Sequence, residues 1–208
     1  MTASYDGTVR VWEVATGEEA FRIETHSAAV RSVHYSPLGN RLLTASNDGT
    51  VRLWNSSNGS PVQTIESEAV PATYAESDAN ADRVLVASAD GTARIWRANG
   101  DPIILEGHDG PLWNASFSPD GEMVVTSADD LSARLWDARN GAMLAKIQDL
   151  GAFGANWAVF SPDGKTVAAA MKGAHLQLWK LTFETEFAPE ESTEPAPCPR
   201  QSNCRISA

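Results

Sequence analysis

From Thr8 to Glu13 the chain alternates Thr, Arg and Trp with two valines. An apolar–polar period of two is the pattern of a half-buried β-strand. Strands are likewise predicted at Val30–Tyr35, Arg41–Ser46 and Thr50–Asn55, with short strands at Ala20–Ile23 and Val62–Ile65. Turn residues separate them: Ala15-Thr16-Gly17, Ser36-Pro37-Leu38-Gly39-Asn40, Asn47-Asp48-Gly49 and Asn58-Gly59-Ser60-Pro61. Short strands with turn signals roughly every 8–12 residues predict an antiparallel meander, all-β, in units of four strands. Leu112–Phe117 and Met123–Ser127, joined by Ser118-Pro119-Asp120-Gly121, repeat the unit. Tyr74–Asp82 lacks that turn and reads as about two residues longer, which predicts an irregular hairpin.

One stretch recurs. Asp48-Gly49-Thr50-Val51-Arg52-Leu53-Trp54 follows Asp6-Gly7-Thr8-Val9-Arg10-Val11-Trp12. It precedes Asp90-Gly91-Thr92-Ala93-Arg94-Ile95-Trp96 and Asp130-Leu131-Ser132-Ala133-Arg134-Leu135-Trp136. A worn copy, Gly173-Ala174-His175-Leu176-Gln177-Leu178-Trp179, ends the series. The tryptophans stand 42, 42, 40 and 43 residues apart. Self-similarity at such a period marks a repeat architecture, in which no unit buries its faces alone and neighbours stack. Thr2-Ala3-Ser4 precedes Asp6 as Thr44-Ala45-Ser46 precedes Asp48, so the first unit is expected to be partial.

These motifs resemble the WD40 repeat family over Met1 to about Trp179. The resemblance implies an incomplete β-propeller over 1–187: four complete four-stranded antiparallel blades at most, plus a partial first blade. Leu181–Phe187 is the candidate for a last outer strand. Residues 188–208, rich in Pro, Glu, Ser and Thr without apolar periodicity, read as a disordered tail.

Each unit tempts with His, Ser or Thr, and Asp, the residue types of a hydrolytic triad. The full set occurs twice: His26, Ser46 (or Thr44), Asp48 and Trp54; then His108, Thr126, Asp130 and Trp136. Recurrence argues against catalysis, because an active site is built once whereas structural devices repeat with the fold. In the family these positions resemble a structural tetrad, in which a buried Asp takes a hydrogen bond from His, His meets the hydroxyl, and the hydroxyl meets the indole N–H. Glu68 and Leu150 stand where the other units carry His. Neither a Gly-x-Gly-x-x-Gly element nor a Gly-Lys-Ser/Thr element occurs, and the Asp-Gly spacing differs from the Asp-box of sialidases.

Charge narrows the partners. Twenty-seven acidic against 16 basic residues give a net charge of −11. That argues against a phosphate-tracking nucleic-acid surface and against anionic membranes. Nothing predicts a signal peptide or a membrane-spanning run. Cys198 and Cys204 both lie in the tail and read as free thiols rather than a disulfide or metal site, consistent with a cytoplasmic, reducing setting. No cofactor and no metal is expected.

Two tryptophans, Trp113 and Trp157, fall outside the signature. Trp113 lies four residues before Phe117, as Arg31 lies before Tyr35 and Asn156 before Phe160. In the family this position lies at the mouth of the central channel. Arg31, Trp113, Asn156 and the adjacent Trp157 are therefore the expected binding rim for a protein or peptide partner, with the Trp and Arg content of an interface hot spot. The reading is a non-catalytic interaction scaffold. Its rivals are a propeller enzyme or small-molecule binder, with Arg31, His34 and Asn156 as candidate polar groups, and a set of blades that only completes a larger ring. An incomplete ring leaves open sheet faces, so self-association, or completion by an upstream propeller segment, is expected.

Overall fold

The computed structural model describes residues 1–66, 70–97, 100–147, 155–171, 175–184 and 203–207. All its regular structure is β, arranged as five antiparallel sheets in chain order. The first has three strands: β1 (Thr2–Ala3), β2 (Val9–Trp12) and β3 (Glu19–Ile23). The second holds β4 (Val30–Tyr35), β5 (Arg41–Ser46), β6 (Thr50–Asn55) and β7 (Pro61–Glu66). The third holds β8 (Ala72–Ser77), β9 (Arg83–Ser88), β10 (Ala93–Arg97) and β11 (Ile103–Leu105). The fourth holds β12 (Leu112–Phe117), β13 (Met123–Ala128), β14 (Ala133–Asp137) and β15 (Met143–Ile147). The fifth holds β16 (Ala155–Phe160), β17 (Thr166–Met171), β18 (His175–Glu184) and β19 (Asn203–Ser207).

Each sheet packs on the next, with the inner strands β4, β8, β12 and β16 side by side. This is the arrangement of an incomplete propeller: a partial first blade and four full ones. Among the described residues, no strand of the fifth sheet packs extensively on the first.

The period-two pattern gives every sheet two apolar faces. One carries the signature tryptophan; the other carries the aliphatic residue before it. All four junctions are of one kind. Val9, Val11 and Ile23 meet Leu42 and Trp54. Leu43, Val51 and Leu53 meet Val84 and Trp96. Leu85, Ala93 and Ile95 meet Val124 and Trp136. Val125, Ala133 and Leu135 meet Val167 and Trp179. A buried tryptophan removes roughly 200 Å² from water, or about 5 kcal/mol at ~25 cal/mol per Å². Face-to-face burial is therefore the main support of the arc.

Two expectations are corrected. The Tyr74–Asp82 hairpin is regular and no longer than its counterparts. Asp78 N–H donates to Arg83 C=O, as Ser36 donates to Arg41 and Ser118 to Met123. Ala81 takes the left-handed position (φ 59°) held by Gly39 (φ 71°) and Gly121 (φ 70°). The Asp78 carboxylate offsets that strain by accepting from Asp82 N–H, Arg83 N–H and Arg83 Nε at 2.8–3.1 Å.

The last blade also differs. Leu181 and its neighbours extend the third strand, β18, instead of forming an outer one, and the outer strand is β19 from the end of the supposed tail. With one edge of β18 held by β17, the other is a template for a further strand, and Asn203–Ser207 alternates polar and apolar residues. Residues 185–202, with Cys198, lie outside the described residues, as do Glu68 and Leu150.

Candidate functional site

The second and fourth sheets each assemble one hydrogen-bonded set. His26, in the loop before β4, places Nδ1 2.9 Å from the Asp48 carboxylate and Nε2 2.7 Å from Thr44 Oγ1. Trp54 Nε1 donates to the same hydroxyl at 3.0 Å. His108, Asp130, Thr126 and Trp136 repeat this at 2.9, 2.7 and 2.8 Å. One assignment satisfies every atom. The indole N–H donates to the hydroxyl, the hydroxyl to Nε2, and Nδ1–H to the carboxylate, with the imidazole neutral.

Ser46, expected as the hydroxyl of the first set, is not part of it. Its Oγ donates to Ala28 C=O and accepts from Asp48 N–H. The cause is register. Trp54 pairs with Leu42, which puts Thr44 diagonally across from it and Ser46 two residues farther along β5.

The electrostatics agree with a neutral ring. Burial lowers the pKa of His26 and of His108, outweighing the opposite pull of their aspartates. Burial pushes Asp48 and Asp130 up, but hydrogen bonds win and hold each at about 2: those from Thr50 and His26 for Asp48, and from Ser132 and His108 for Asp130. Thr44 and Thr126 are fully buried. Each shares its oxygen with an indole N–H, so neither hydroxyl faces a substrate.

The expected rim residues divide. Every described inner strand of the full sheets begins with an irregularity of register: Val30/Ser32, Ala72/Tyr74, Leu112/Asn114 and Ala155/Trp157. The extra residues are Arg31, Thr73, Trp113 and Asn156, at equivalent places on one rim. A bulge re-aims the side chain it inserts. Arg31 and Asn156 are exposed and Trp113 is half-buried. Arg31 Nη1 donates to Tyr5 Oη at 2.9 Å, with the guanidinium 5.5 Å from the Tyr5 ring centre. Trp113 Nε1 donates to Asp129 at 3.3 Å. Trp157 comes after the bulge and leaves this row. It stands edge-on to Tyr74 with ring centres 5.0 Å apart, and Tyr74 in turn meets His34 edge-on at 4.7 Å. His34 thus joins an aromatic cluster between inner strands.

The inner strands carry a further device that no local signal announced. Side chains of one sheet accept from backbone N–H groups of the next: Ser32 from Ala75 at 3.3 Å, Asn114 from Ala158 at 3.1 Å, and Glu76 from Phe117. Glu76 also accepts from Tyr74 and Ser116. Burial pushes its carboxyl up to about 7 against those bonds. The partners lie more than forty residues apart in the chain.

Among the described residues no cluster of three His, Cys, Asp or Glu could hold a metal ion. Among them, no helix is long and apolar enough to cross a membrane.

The model of the "WD domain, G-beta repeat" family matches residues 17–55 and 102–137. The chain is 34% identical over 82 residues to "Eukaryotic translation initiation factor 3 subunit I" of Kluyveromyces lactis, a match over 38% of this chain and 23% of that protein. It is 31% identical over 80 residues to mouse "Coronin-7", covering 37% of this chain and 8% of that one. It is 32% identical over 84 residues to human "Apoptotic protease-activating factor 1", covering 37% and 7%. The matched stretch therefore spans under a quarter of each relative's own length. The two matched segments contain the indole and hydroxyl of both hydrogen-bonded sets, and each carries a repeat that matches the WD40 family.

Proposed function

We propose that this chain is a non-catalytic, cytoplasmic interaction scaffold that takes a protein or peptide partner on the rim marked by Arg31, Trp113 and Asn156. One observation carries the proposal: the bulge repeats at the head of successive inner strands and sets these three side chains in equivalent places on one rim. Trp157 follows the bulge and packs edge-on against Tyr74, which favours the other three residues as the core of that rim. The His–Asp sets act as props inside two blades, because their hydroxyls are buried and already shared. Relatives with names as different as a translation initiation factor subunit and a protease-activating factor each match part of this chain, which supports recognition by the repeats rather than any single pathway.

The test is capture with the purified chain as bait, followed by affinity measurement on the captured partner. Trp113→Ala should weaken binding by about 2 kcal/mol, as loss of a hot-spot aromatic does. Leu38→Ala, an exposed residue in the opposite-end turn between β4 and β5, should leave it unchanged. Equal binding by wild type and Trp113→Ala would move the site off this rim. Loss of the folded circular dichroism signal would assign Trp113 to packing instead.

A further inference from the structure

Among the described residues, two sheet faces lack the packed neighbour that the other faces have. On the first sheet it is the tryptophan face: Trp12 is 36% exposed, against 2% for Trp54, 1% for Trp136 and 4% for Trp179. On the fifth sheet it is the aliphatic face. Leu178 is 56% exposed, whereas its counterparts Ile95 and Leu135 are at 0%. Leu176 is 69% exposed, whereas Val51, Ala93 and Ala133 are at 0%. Register places Ala168 beside Leu178 and Val159, and Ala170 beside Leu176 and Trp157, so these residues form one continuous patch across three strands. All four internal junctions join an aliphatic face to a tryptophan face, and the two open faces are one of each.

We propose that the Leu176–Leu178 face of the fifth sheet docks on the Trp12 face of the first sheet of a second copy of this chain. The contact continues the stacking rule already used four times within the chain. It is heterologous, head to tail, so each copy keeps one face of each kind available to a further copy. Trp12 is preset for the role: its Nε1 donates to Thr2 Oγ1 at 3.2 Å, as Trp54 donates to Thr44. The stretch 185–202 is a poor occupant by composition. It carries Glu186, Glu190, Glu191 and Glu194, with Phe187 as its one large apolar residue.

Because the two faces differ, the proposal has a complementation test in sedimentation velocity on the full chain. Wild type should gain mass with concentration. Leu178→Asp and Trp12→Asp should each stay at one-chain mass, because each keeps only one kind of face. Mixed one to one, they should form a complex of two chains, joined through the intact face of each. Circular dichroism on both variants checks that they fold. Hydroxyl-radical footprinting of wild type supplies a readout free of mutation: Leu176, Leu178 and Trp12 should become protected as concentration rises. A wild type that remains one chain at all concentrations overturns the proposal. So does self-association of Trp12→Asp, which would mean that aliphatic faces pair with each other, or a mixture that stays monomeric. Concentration-independent protection of Leu176 and Leu178 would mean that the same chain covers them, and would overturn it too.

Discussion

The third and fourth sheets are neighbours with the same strand order and opposite chemistry inside. In the fourth, Trp136 donates to Thr126, and His108 and Asp130 complete the set. In the third, Val86 stands in the threonine place, and Trp96 Nε1 finds no partner among the described residues. Asp90 there bonds Thr92 and Arg94 Nη2 at 2.7 and 3.1 Å, as Asp130 bonds Ser132 and Arg134 in addition to His108. Yet in both sheets the second and third strands pair without a shift of register, and Ile95 and Leu135 are completely buried. Magnitudes explain why. Burying a tryptophan face contributes about 5 kcal/mol, while leaving one N–H unpaired costs about 1–3. A blade tolerates loss of the set as long as its face stays covered. The set adds stability and fixes the loop before the inner strand; it is not what makes the blade.

The sharpest way to break the fourth sheet is to give it the third sheet's residue. Thr126→Val keeps the shape and strands two groups, His108 Nε2 and Trp136 Nε1–H. At about 1–3 kcal/mol for each buried group left unpaired, the expected loss is about 2–6 kcal/mol, read from urea unfolding. A loss below about 1 kcal/mol would show that the hydrogen bonds of the set contribute little beyond packing.

The aspartates should separate the two kinds of sheet next. Asp48→Ala should cost about 1–3 kcal/mol, because His26 Nδ1–H and the N–H groups of Ser27 and Thr50 lose their acceptor. Asp90→Ala removes a more exposed pair and should cost under about 1 kcal/mol. Acid should report the same difference. Asp48 and Asp130 are held at about 2 in the fold, below the ordinary 3.8. Their contribution is present above 3.8 and is lost as pH falls through about 2. The buried imidazoles act earlier: their pKa values are depressed from 6.5, so unfolding gains protons and stability declines as pH drops below that value. Thermal melts across this range should show a shallower acid decline between pH 4 and 2 for Asp48→Ala than for wild type.

Most of this contrast was legible along the chain. The tryptophan period, the Asp-Gly turns and the two histidines are local signals, and they located five sheets and two sets. The choice between Thr44 and Ser46 was not legible, because it depends on which residue lies diagonally from Trp54 across two strands. The hairpin at Asp78 was misjudged because a carboxylate and a left-handed alanine replace the expected Ser and Gly. The place of Trp157 turns on a bulge one residue earlier. Ser32, Asn114 and Glu76 bond backbone of the following sheet, and no motif marks a contact between residues so far apart in sequence. The outer strand of the fifth sheet comes from beyond a long polar stretch, where composition reads as tail.

The smallest expected effect is the most discriminating, because it runs in the opposite direction. Val86 is fully buried and pairs with Arg94, as Thr126 pairs with Arg134. A threonine there is nearly isosteric, and its oxygen would lie diagonally from Trp96 as Thr126 lies from Trp136. Burying a hydroxyl without compensation costs about 1–3 kcal/mol in proteins. Here the hydroxyl gains the unpaired indole N–H, a bond contributing about 1 kcal/mol, and its own proton can turn to Arg94 C=O, as Thr44 Oγ1 lies 3.4 Å from Arg52 C=O. Val86→Thr should therefore fall within about 1 kcal/mol of wild type in urea unfolding. Val124→Thr, an equally buried valine that pairs with Trp136 rather than lying diagonally from it, should show the full cost. Equal losses for the two variants would mean that Trp96 does not accept the new partner. The third sheet would then be a blade built differently, rather than one that has merely lost its hydroxyl.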